Sequence, residues 1–262
     1  MITTKTSRLL LSVYVGLVLL FLILPVLIIF PMSFSDSRFL SFPPQVYSLR
    51  WYESFFHSAA WMSAGRTTVI VAVATTLIAT PLGVAAAYAL DNATSPFMRS
   101  LKIVLLLPLI IPIIIIAIGV FFVYARIGLL ATIPGLILAD VMLSIPYVVT
   151  AVLAGLQGFD KTQEMVARSL GMGRLRSFMV VTLPQIRPSV VTGAIFAFIQ
   201  ALDETIVALF VSGGEHQTLT KKMFTSLRDE IDPTIASIST VLTVASFMLV
   251  LMMLQSRKKA EH

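Results

Sequence analysis

The chain contains apolar runs long enough to cross a bilayer, and they constrain its fold more than any other feature. From Leu9 to Ser35 no charged residue occurs for 27 residues. Lipid offers no hydrogen bonds to the backbone, so a spanning segment has to be a helix or part of a closed barrel. The runs are continuous and do not alternate with polar residues, which favours helices. We therefore predict an all-α integral membrane protein.

Six runs have the ~20 apolar residues that a spanning helix needs. The first is too long for a signal peptide and lacks a small-residue cleavage site, so we expect it to be an uncleaved span. Prolines inside the runs, among them Pro108 and Pro112, lack the backbone N–H and invite kinks. The six predicted spans are residues 9–32, 67–90, 103–125, 129–153, 189–212 and 233–255.

The distribution of basic residues predicts which loops face the cytoplasm. Six spans place both termini on one side, and Lys and Arg concentrate on the cytoplasmic side of membrane proteins. Twelve of the 19 Lys and Arg fall in the termini and the even-numbered loops, and seven fall in the other loops. Both termini and the loop 157–188 are therefore predicted to be cytoplasmic. Because the basic residues are scattered and form no stripe, we do not expect a nucleic-acid partner.

Two predicted spans carry small residues at every fourth position, which places them on one helix face. Small side chains let neighbouring helix backbones approach closely. We expect these two helices to pack centrally, although Ala-rich sequence can give such spacing by chance. The stripes are Ala79, Gly83 and Ala87 in the second span, and Ser189, Gly193, Ala197 and Ala201 in the fifth.

The loop between the fourth and fifth spans has the pattern of an ordered, amphipathic segment. Residues 163–170 are predicted to form about two helical turns, ended by Gly171 and Gly173. Val166 and Leu170 lie four residues apart and so share a face, flanked by Met165 and Ala167. A short amphipathic helix of this kind is suited to a groove on a partner protein. The alternative is a solvated loop whose arginines only set the orientation.

Residues 164–188, with Glu164, Ala167, Gly171, Phe178, Leu183, Pro184 and Pro188 in order, resemble the EAA motif of type I ABC-importer permeases. The position that usually holds the motif's glutamate falls on Met165, with Glu164 adjacent. The resemblance implies six helices in the MetI-like fold and a loop that docks into a cytoplasmic ATPase subunit. The coupling residues it implies are Glu164, Met165, Val166, Ala167, Arg168, Leu170, Gly171, Leu183 and Pro184.

Three acidic residues lie inside predicted spans: Asp140 in the fourth, and Asp203 and Glu204 in the fifth. A carboxylate at mid-bilayer costs about 2.5–3.5 kcal/mol, so three together would cost roughly 10 kcal/mol without compensation. No Lys or Arg occurs in the interior of a span. The three residues are therefore candidates for a negatively lined passage for an organic cation. The alternative is buried acids neutralised by protonation or by a second permease.

The segments 42–52 and 201–224 resemble the spermidine/putrescine permease subfamily, through FPPQVYSLRWY and ALDETIVALFVSGGEHQTLTKKMF. The resemblance implies ATP-driven import of a small organic cation such as a polyamine, with another amine or polar solute as the alternative. It implies two cytoplasmic ATPase subunits, a second and related permease, and an extracytoplasmic solute-binding protein. The charged outer loop 213–232 is a candidate contact for that protein, and the alternative is a solvated surface. The setting would be the bacterial inner membrane.

The chain has no phosphate-binding loop, so ATP and Mg²⁺ are expected on the partner subunits and no cofactor on this chain. An intramembrane enzyme is disfavoured because cysteine is absent and His57, His216 and His262 fall outside the predicted spans. An autonomous carrier or channel stays open as an alternative, since it would also use intramembrane acids and broken helices. We predict an N-terminal helix and elbow in residues 1–64, the transport domain in 65–255 and a basic tail in 256–262.

Overall fold

The structure, a computed structural model, describes residues 5–92, 95–229 and 232–260, and the regular elements in these ranges are helices. A 3₁₀ turn at Leu107–Leu109 follows α4, and a π-helical turn at Phe178–Thr182 follows α8. The helices are α1 (Lys5–Met32), α2 (Arg50–His57), α3 (Ala59–Asp91), α4 (Pro96–Leu106), α5 (Ile113–Ile127), α6 (Ile133–Gln157), α7 (Lys161–Ser169), α8 (Arg174–Ser177), α9 (Leu183–Gln185), α10 (Arg187–Asp203), α11 (Ile206–Val211), α12 (Leu219–Asp229) and α13 (Thr234–Ala260).

Four of these helices are continuous and apolar enough to cross a membrane, namely α1, α3, α6 and α13. They correspond to the first, second, fourth and sixth predicted spans. The helix α6 begins at Ile133 and not at residue 129, because the chain first turns through Gly128 and Ala131, both with positive φ. Thr132 then caps the helix by accepting a hydrogen bond from the Gly135 N–H at 3.1 Å.

The third predicted span, residues 103–125, is a bent pair of helices, with the interruption at the prolines that the sequence analysis singled out. The segments Pro96–Leu109 and Ile113–Ile127 meet at an angle of 100°. Pro108 and Pro112 lie at this bend, where their missing N–H groups interrupt the helical hydrogen bonds. Pro81 and Pro146, by contrast, are accommodated inside the continuous helices α3 and α6.

The fifth predicted span is also interrupted, so the prediction of a single helix over residues 189–212 is wrong. The helix α10 ends at Asp203, Glu204 is extended with ψ 113°, and the chain resumes as the short helix α11. The break falls at the two adjacent acidic residues.

Two compact units can be described separately, the first being Met1–Ala59 with Thr225–Ala245. In this unit Ser33 is a centre of polar contacts. Its hydroxyl bonds the Tyr52 hydroxyl at 2.7 Å, and its carbonyl accepts from the Ser237 hydroxyl at 3.1 Å. The Trp51 indole N–H donates to the Ser37 carbonyl at 3.1 Å. The elbow after α1 is therefore an ordered part of this unit.

The second unit, Ala60–Phe224 with Ser246–His262, is organised around α6. A Cβ placed on Gly83 of α3 would lie 2.6 Å from the Val148 Cβ, and one on Gly193 of α10 would lie 3.1 Å from the Val148 Cα. Val148 is thus held between two glycines. The residues of the two small-residue stripes are buried except for half-buried Ser189, and α6 lies between Gly83 and Gly193.

A second group of buried residues joins α11 to α5 and α6. Val207 and Val211 of α11 pack with Ala117 of α5 and with Leu136 and Ala139 of α6. The short helix α11 is therefore anchored in the core although it contains only 6 residues. This packing places the acidic break between α10 and α11 against the middle of the unit.

Candidate functional site

The loop between α6 and α10 is folded, and its central element is α7. Asp160 begins the helix by accepting a hydrogen bond from the Thr162 backbone N–H at 2.9 Å. Bonds from the Thr162 side chain and backbone lower the pKa of the Asp160 carboxyl. Gly171 ends the segment with φ +92°, and the following residue, Met172, donates its N–H to the Ala167 carbonyl at 3.2 Å. The predicted two-turn helix is thus present, and it ends at a glycine in the left-handed conformation.

One face of α7 presents apolar side chains to the surroundings. Met165 is 57% exposed, Val166 53% and Leu170, which follows the helix, 79%. We call these three residues the docking face. Arg168 is also exposed and adds a positive charge to the same short helix. Clustered exposed apolar residues on an ordered loop are typical of a surface that contacts another protein.

The opposite face of α7 is buried through Glu164 and Ala167. Glu164 is only 9% exposed, and both oxygens of its carboxylate accept hydrogen bonds. Oε1 accepts from the Tyr88 hydroxyl of α3, and Oε2 accepts from the Thr182 hydroxyl at 2.6 Å. The Ser177 hydroxyl lies 3.5 Å from Oε1, but its shorter bond, at 3.0 Å, goes to the Arg174 carbonyl. We call Glu164, Tyr88 and Thr182 the Glu164 node.

The adjacent residues Glu164 and Met165 therefore point in different directions, because successive residues in a helix are about 100° apart. The acid of this chain faces inward, one residue before the position where the EAA motif usually has its glutamate. Met165 occupies that position and faces outward. The ion pairs found in the described part of the chain do not include Glu164.

Further contacts fasten α7 to its neighbours. The Lys161 ammonium lies 2.7 Å from the Asp91 carboxylate at the end of α3. The Gln185 amide of α9 donates to the Gln163 side-chain oxygen at 2.5 Å. These contacts link α7 to α3 and to the segment before α10, which the Glu164 node also joins.

The segment between α7 and α10 turns the chain sharply. Phe178 is buried and its ring lies 4.4 Å, centroid to centroid, from that of Tyr88. Leu183 packs partly buried against the core, whereas Pro184 is exposed. The segments Arg174–Gln185 and Arg187–Asp203 meet at 80°. The predicted coupling residues thus lie together on α7 and on the turn that leads into α10.

The three predicted pathway acids are not on one exposed surface. Asp140 of α6 and Glu204 are buried, at 4% and 6% exposure, and they interact electrostatically with each other. Asp203, the last residue of α10, is exposed. The adjacent residues Asp203 and Glu204 therefore differ in exposure.

Glu204 has a clear structural task at the break. Its Oε1 accepts from the Val207 N–H at 2.7 Å, so the carboxylate caps the first turn of α11. Its carbonyl accepts from the Thr220 hydroxyl at 2.9 Å. The Lys221 ammonium donates to the Ser212 carbonyl at 2.5 Å, beyond the other end of α11. Side chains of α12 thus supply the hydrogen bonds that a broken helix would otherwise leave unmade.

Sequence reasoning did not identify Tyr88, Thr182 or Thr220 as functional candidates. A hydroxyl near the end of an apolar helix is a weak signal on its own, although a buried Tyr usually finds a hydrogen-bond partner. No group of three or more His, Asp or Glu residues that could hold a metal occurs in residues 5–92, 95–229 and 232–260. His262 lies outside the described residues.

Long apolar helices, bent helix pairs and a folded loop with an apolar face define a multi-pass helical membrane protein with a surface for a partner. Residues 79–258 match the family of binding-protein-dependent transport system inner membrane components, and the chain belongs to this family. It is therefore a permease subunit, a membrane transport component and not an enzyme, and ATP is hydrolysed by a separate subunit. The predicted function class is confirmed.

Curated relatives match nearly the whole chain. The spermidine/putrescine transport system permease protein PotC of Haemophilus influenzae is 26% identical over 252 residues, which cover 96% of this chain and 97% of the relative. The putrescine transport system permease protein PotI of Escherichia coli is 28% identical over 229 residues, with 85% and 81% covered. The predicted subfamily resemblance is confirmed.

Solved structures support the fold. A bacterial alginate ABC transporter, crystallised in complex with an alginate pentasaccharide-bound periplasmic protein, matches with a TM-score of 0.74. The match covers 98% of this chain and 96% of that chain at 16% identity, so it shows the fold alone. The predicted all-α permease fold is confirmed.

Proposed function

We propose that this chain is one of two permease subunits of an ATP-driven importer whose solute is a small organic cation, a polyamine such as spermidine or putrescine. The observation that supports this most is the near-full-length similarity to permeases named for spermidine and putrescine transport. Polyamines are cationic, and an exposed carboxylate at the α10–α11 break suits a cationic solute.

We assign different roles to the three acids inside the membrane segments. Asp203 is exposed, so its carboxylate is available to a passing ammonium group. Glu204 is occupied in capping α11, and Asp140 is buried in α6. In this proposal Asp203 contacts the solute, Glu204 maintains the shape of the break, and Asp140 lines the inner side of the pathway.

The docking face is proposed to contact a cytoplasmic ATPase subunit. Its exposed apolar side chains lie on and just after a short helix whose first turn is fastened to the neighbouring segments, which suits binding in a groove. Arg168 and Gly171 border this face, Ala167 packs beneath it, and Leu183 and Pro184 shape the turn into α10. Closure of the ATPase subunits would then displace α7 and, through this turn, α10.

The assembly that this proposal requires has partners on both sides of a bacterial inner membrane. Two ATPase subunits bind ATP and Mg²⁺, and a second, related permease completes a heterodimer. A solute-binding protein contacts the loop 213–232, of which residues 230 and 231 lie outside the described residues. Both termini are cytoplasmic. Residues 65–255 form the transport domain, with the elbow before it and the basic tail after it.

Uptake by the purified assembly in proteoliposomes tests the proposal. With ATP inside the vesicles and the solute-binding protein outside, we expect uptake of labelled putrescine or spermidine, with competition between the two. Alginate oligosaccharide serves as an anionic control. Uptake of another amine or polar solute but not of polyamines would refute the cargo assignment, and uptake by this chain without ATPase subunits would refute the importer assignment.

A further inference from the structure

We infer that Glu164 is an internal positioning residue that fixes the coupling helix α7 to α3 and to the segment entering α10, and does not itself contact the ATPase. This inference rests on the proposed coupling role of α7 and adds Tyr88 and Thr182 to the residues that transmit the motion. It is carried by the geometry of the Glu164 node.

Both oxygens of the Glu164 carboxylate are engaged by different parts of the chain. Tyr88 belongs to α3 and donates to Oε1, whereas Thr182 belongs to the π-helical turn and donates to Oε2. Burying a carboxylate costs free energy unless it is hydrogen-bonded. Loss of either donor should therefore destabilise the inward position of the Glu164 side chain. The Glu164 side chain therefore connects α7, α3 and the π-helical turn.

The segments joined by the node lead to the helices that flank α6. Tyr88 lies near the end of α3, whose Gly83 packs on Val148, and Thr182 precedes α10, whose Gly193 packs on the same residue. A displacement of α7 is thus passed to both sides of the central helix. Packed side chains, hydrogen-bond networks and rigid helices are the parts of a protein that carry coupling of this kind.

The remaining links between α7 and its neighbours are weaker. Lys161 is half-exposed in its ion pair with Asp91, and the Gln163–Gln185 bond is exposed. Solvent-exposed pairs contribute little because water competes for both partners. In the Glu164 node, Glu164 and Thr182 are buried and Tyr88 is partly buried, so the bond between Glu164 and Thr182 is shielded from such competition.

The two faces of α7 have separable tasks. The docking face points away from the node, so substitutions there should affect binding of the ATPase. Substitutions in the node should leave that surface in place but loosen its connection to α3 and α10. The assembly would still bind and hydrolyse ATP, and fewer solute molecules would be imported for each ATP consumed.

The test compares isosteric substitutions in the complete assembly reconstituted in proteoliposomes. Thr182→Val removes the hydroxyl at nearly constant volume, and Thr182→Ser retains it as the matched control. Tyr88→Phe removes the other donor, with Tyr14→Phe on α1 as its control. The measured quantities are ATPase subunits retained on purification and solute imported per ATP hydrolysed.

We expect Thr182→Val and Tyr88→Phe to retain the ATPase and to lower import per ATP by roughly two- to thirtyfold, the range for substitutions along coupled networks. The Thr182→Ser and Tyr14→Phe controls should import as much solute per ATP as the unsubstituted chain. In a double-mutant cycle, Glu164→Gln should add little to Tyr88→Phe, because both act on one cluster. If the complex with Glu164→Gln does not assemble, import per ATP in Thr182→Val and Tyr88→Phe decides whether the inference holds.

Unchanged import per ATP in both donor variants would overturn the inference, as would loss of the ATPase from them. A separate variant, Leu170→Asp, tests the docking face itself. If Leu170→Asp retains the ATPase, the proposed docking face is wrong whatever the node variants do. If it loses the ATPase while the node variants import normally, only the positioning role of Glu164 fails.

Discussion

Asp203 and Glu204 show how two adjacent acids acquire different roles. The helix ends between them, so Asp203 keeps a helical position with an exposed side chain while Glu204 turns into the core. There the Glu204 carboxylate accepts the Val207 N–H, an interaction that a charged acceptor strengthens. At the scale of single residues, one acid caps the backbone of α11, and we propose that its neighbour contacts the solute.

Substitution of the two acids should therefore give different phenotypes. Asp203→Asn is expected to weaken uptake of cationic solutes without lowering the melting temperature of the detergent-solubilised chain, because the carboxylate is exposed. Glu204→Leu is expected to destabilise the protein by about 1–3 kcal/mol, since the Val207 N–H loses its buried acceptor. Uptake kinetics and thermal unfolding measure the two effects. Unchanged cation uptake in Asp203→Asn would remove the proposed solute contact.

At the scale of secondary-structure elements, short helices perform the tasks that the long spans cannot. The helix α7 has only 9 residues, yet one face is bonded to the core and the other is exposed. The helix α11 resumes the helical path after the break at the end of α10. Side chains of α12 supply hydrogen-bond donors to the backbone carbonyls on both sides of α11. Each short helix depends on tertiary contacts, because isolated helices of this length are not stable in water.

Gly171 ends the coupling segment and provides a test at this scale. An added Cβ at Gly171 would meet no atom within 4 Å, but the φ of +92° disfavours most side chains. Asn and Asp tolerate positive φ better than other residues and are nearly isosteric. We expect Gly171→Asp to insert normally and lose ATP-driven uptake, because it places a negative charge beside the docking face.

Gly171→Asn is the matched control for the backbone effect and should keep most of the uptake. Membrane insertion is measured by fractionation, and uptake by the vesicle assay. Equal loss in the Asn and Asp variants would assign the defect to the backbone and would contradict a role for charge at the docking face. Normal uptake in Gly171→Asp would contradict the coupling role of this turn.

At the scale of the whole molecule, four continuous spans and two bent helix pairs give a permease fold within an established family. The count of basic residues predicts an orientation in which α7 faces the cytoplasm. The proposed function requires that orientation, since ATP is available only there. The 262 residues contain no cysteine, so single-cysteine variants report on one position without a background.

Cysteine labelling of intact cells tests the orientation. A membrane-impermeant maleimide should label Glu215→Cys in the loop after α11 in intact cells, and should label Ser169→Cys at the end of α7 only after the membrane is permeabilised. Both positions are exposed, so a difference in labelling reports the side of the membrane. Labelling of Ser169→Cys in intact cells would exclude contact between α7 and a cytoplasmic ATPase.

The sequence by itself determined the features that depend on local composition and period. Apolar length predicted the membrane helices, glycine and apolar spacing predicted α7, and the motif in residues 164–188 identified the family. These features follow from hydrophobic burial and backbone bonding within short stretches. Even the bend after α4 has a local cause in Pro108 and Pro112, although its angle could not be predicted.

Only the tertiary structure decided which groups meet across the chain. Tyr88 and Glu164 are 76 positions apart, and Thr220 reaches the Glu204 carbonyl from a different helix. Whether an acid faces the core depends on such distant donors, because a buried carboxylate is stable only where hydrogen bonds compensate its lost hydration. The inward Glu164 and the broken α10–α11 segment therefore emerge only when the helices are packed together.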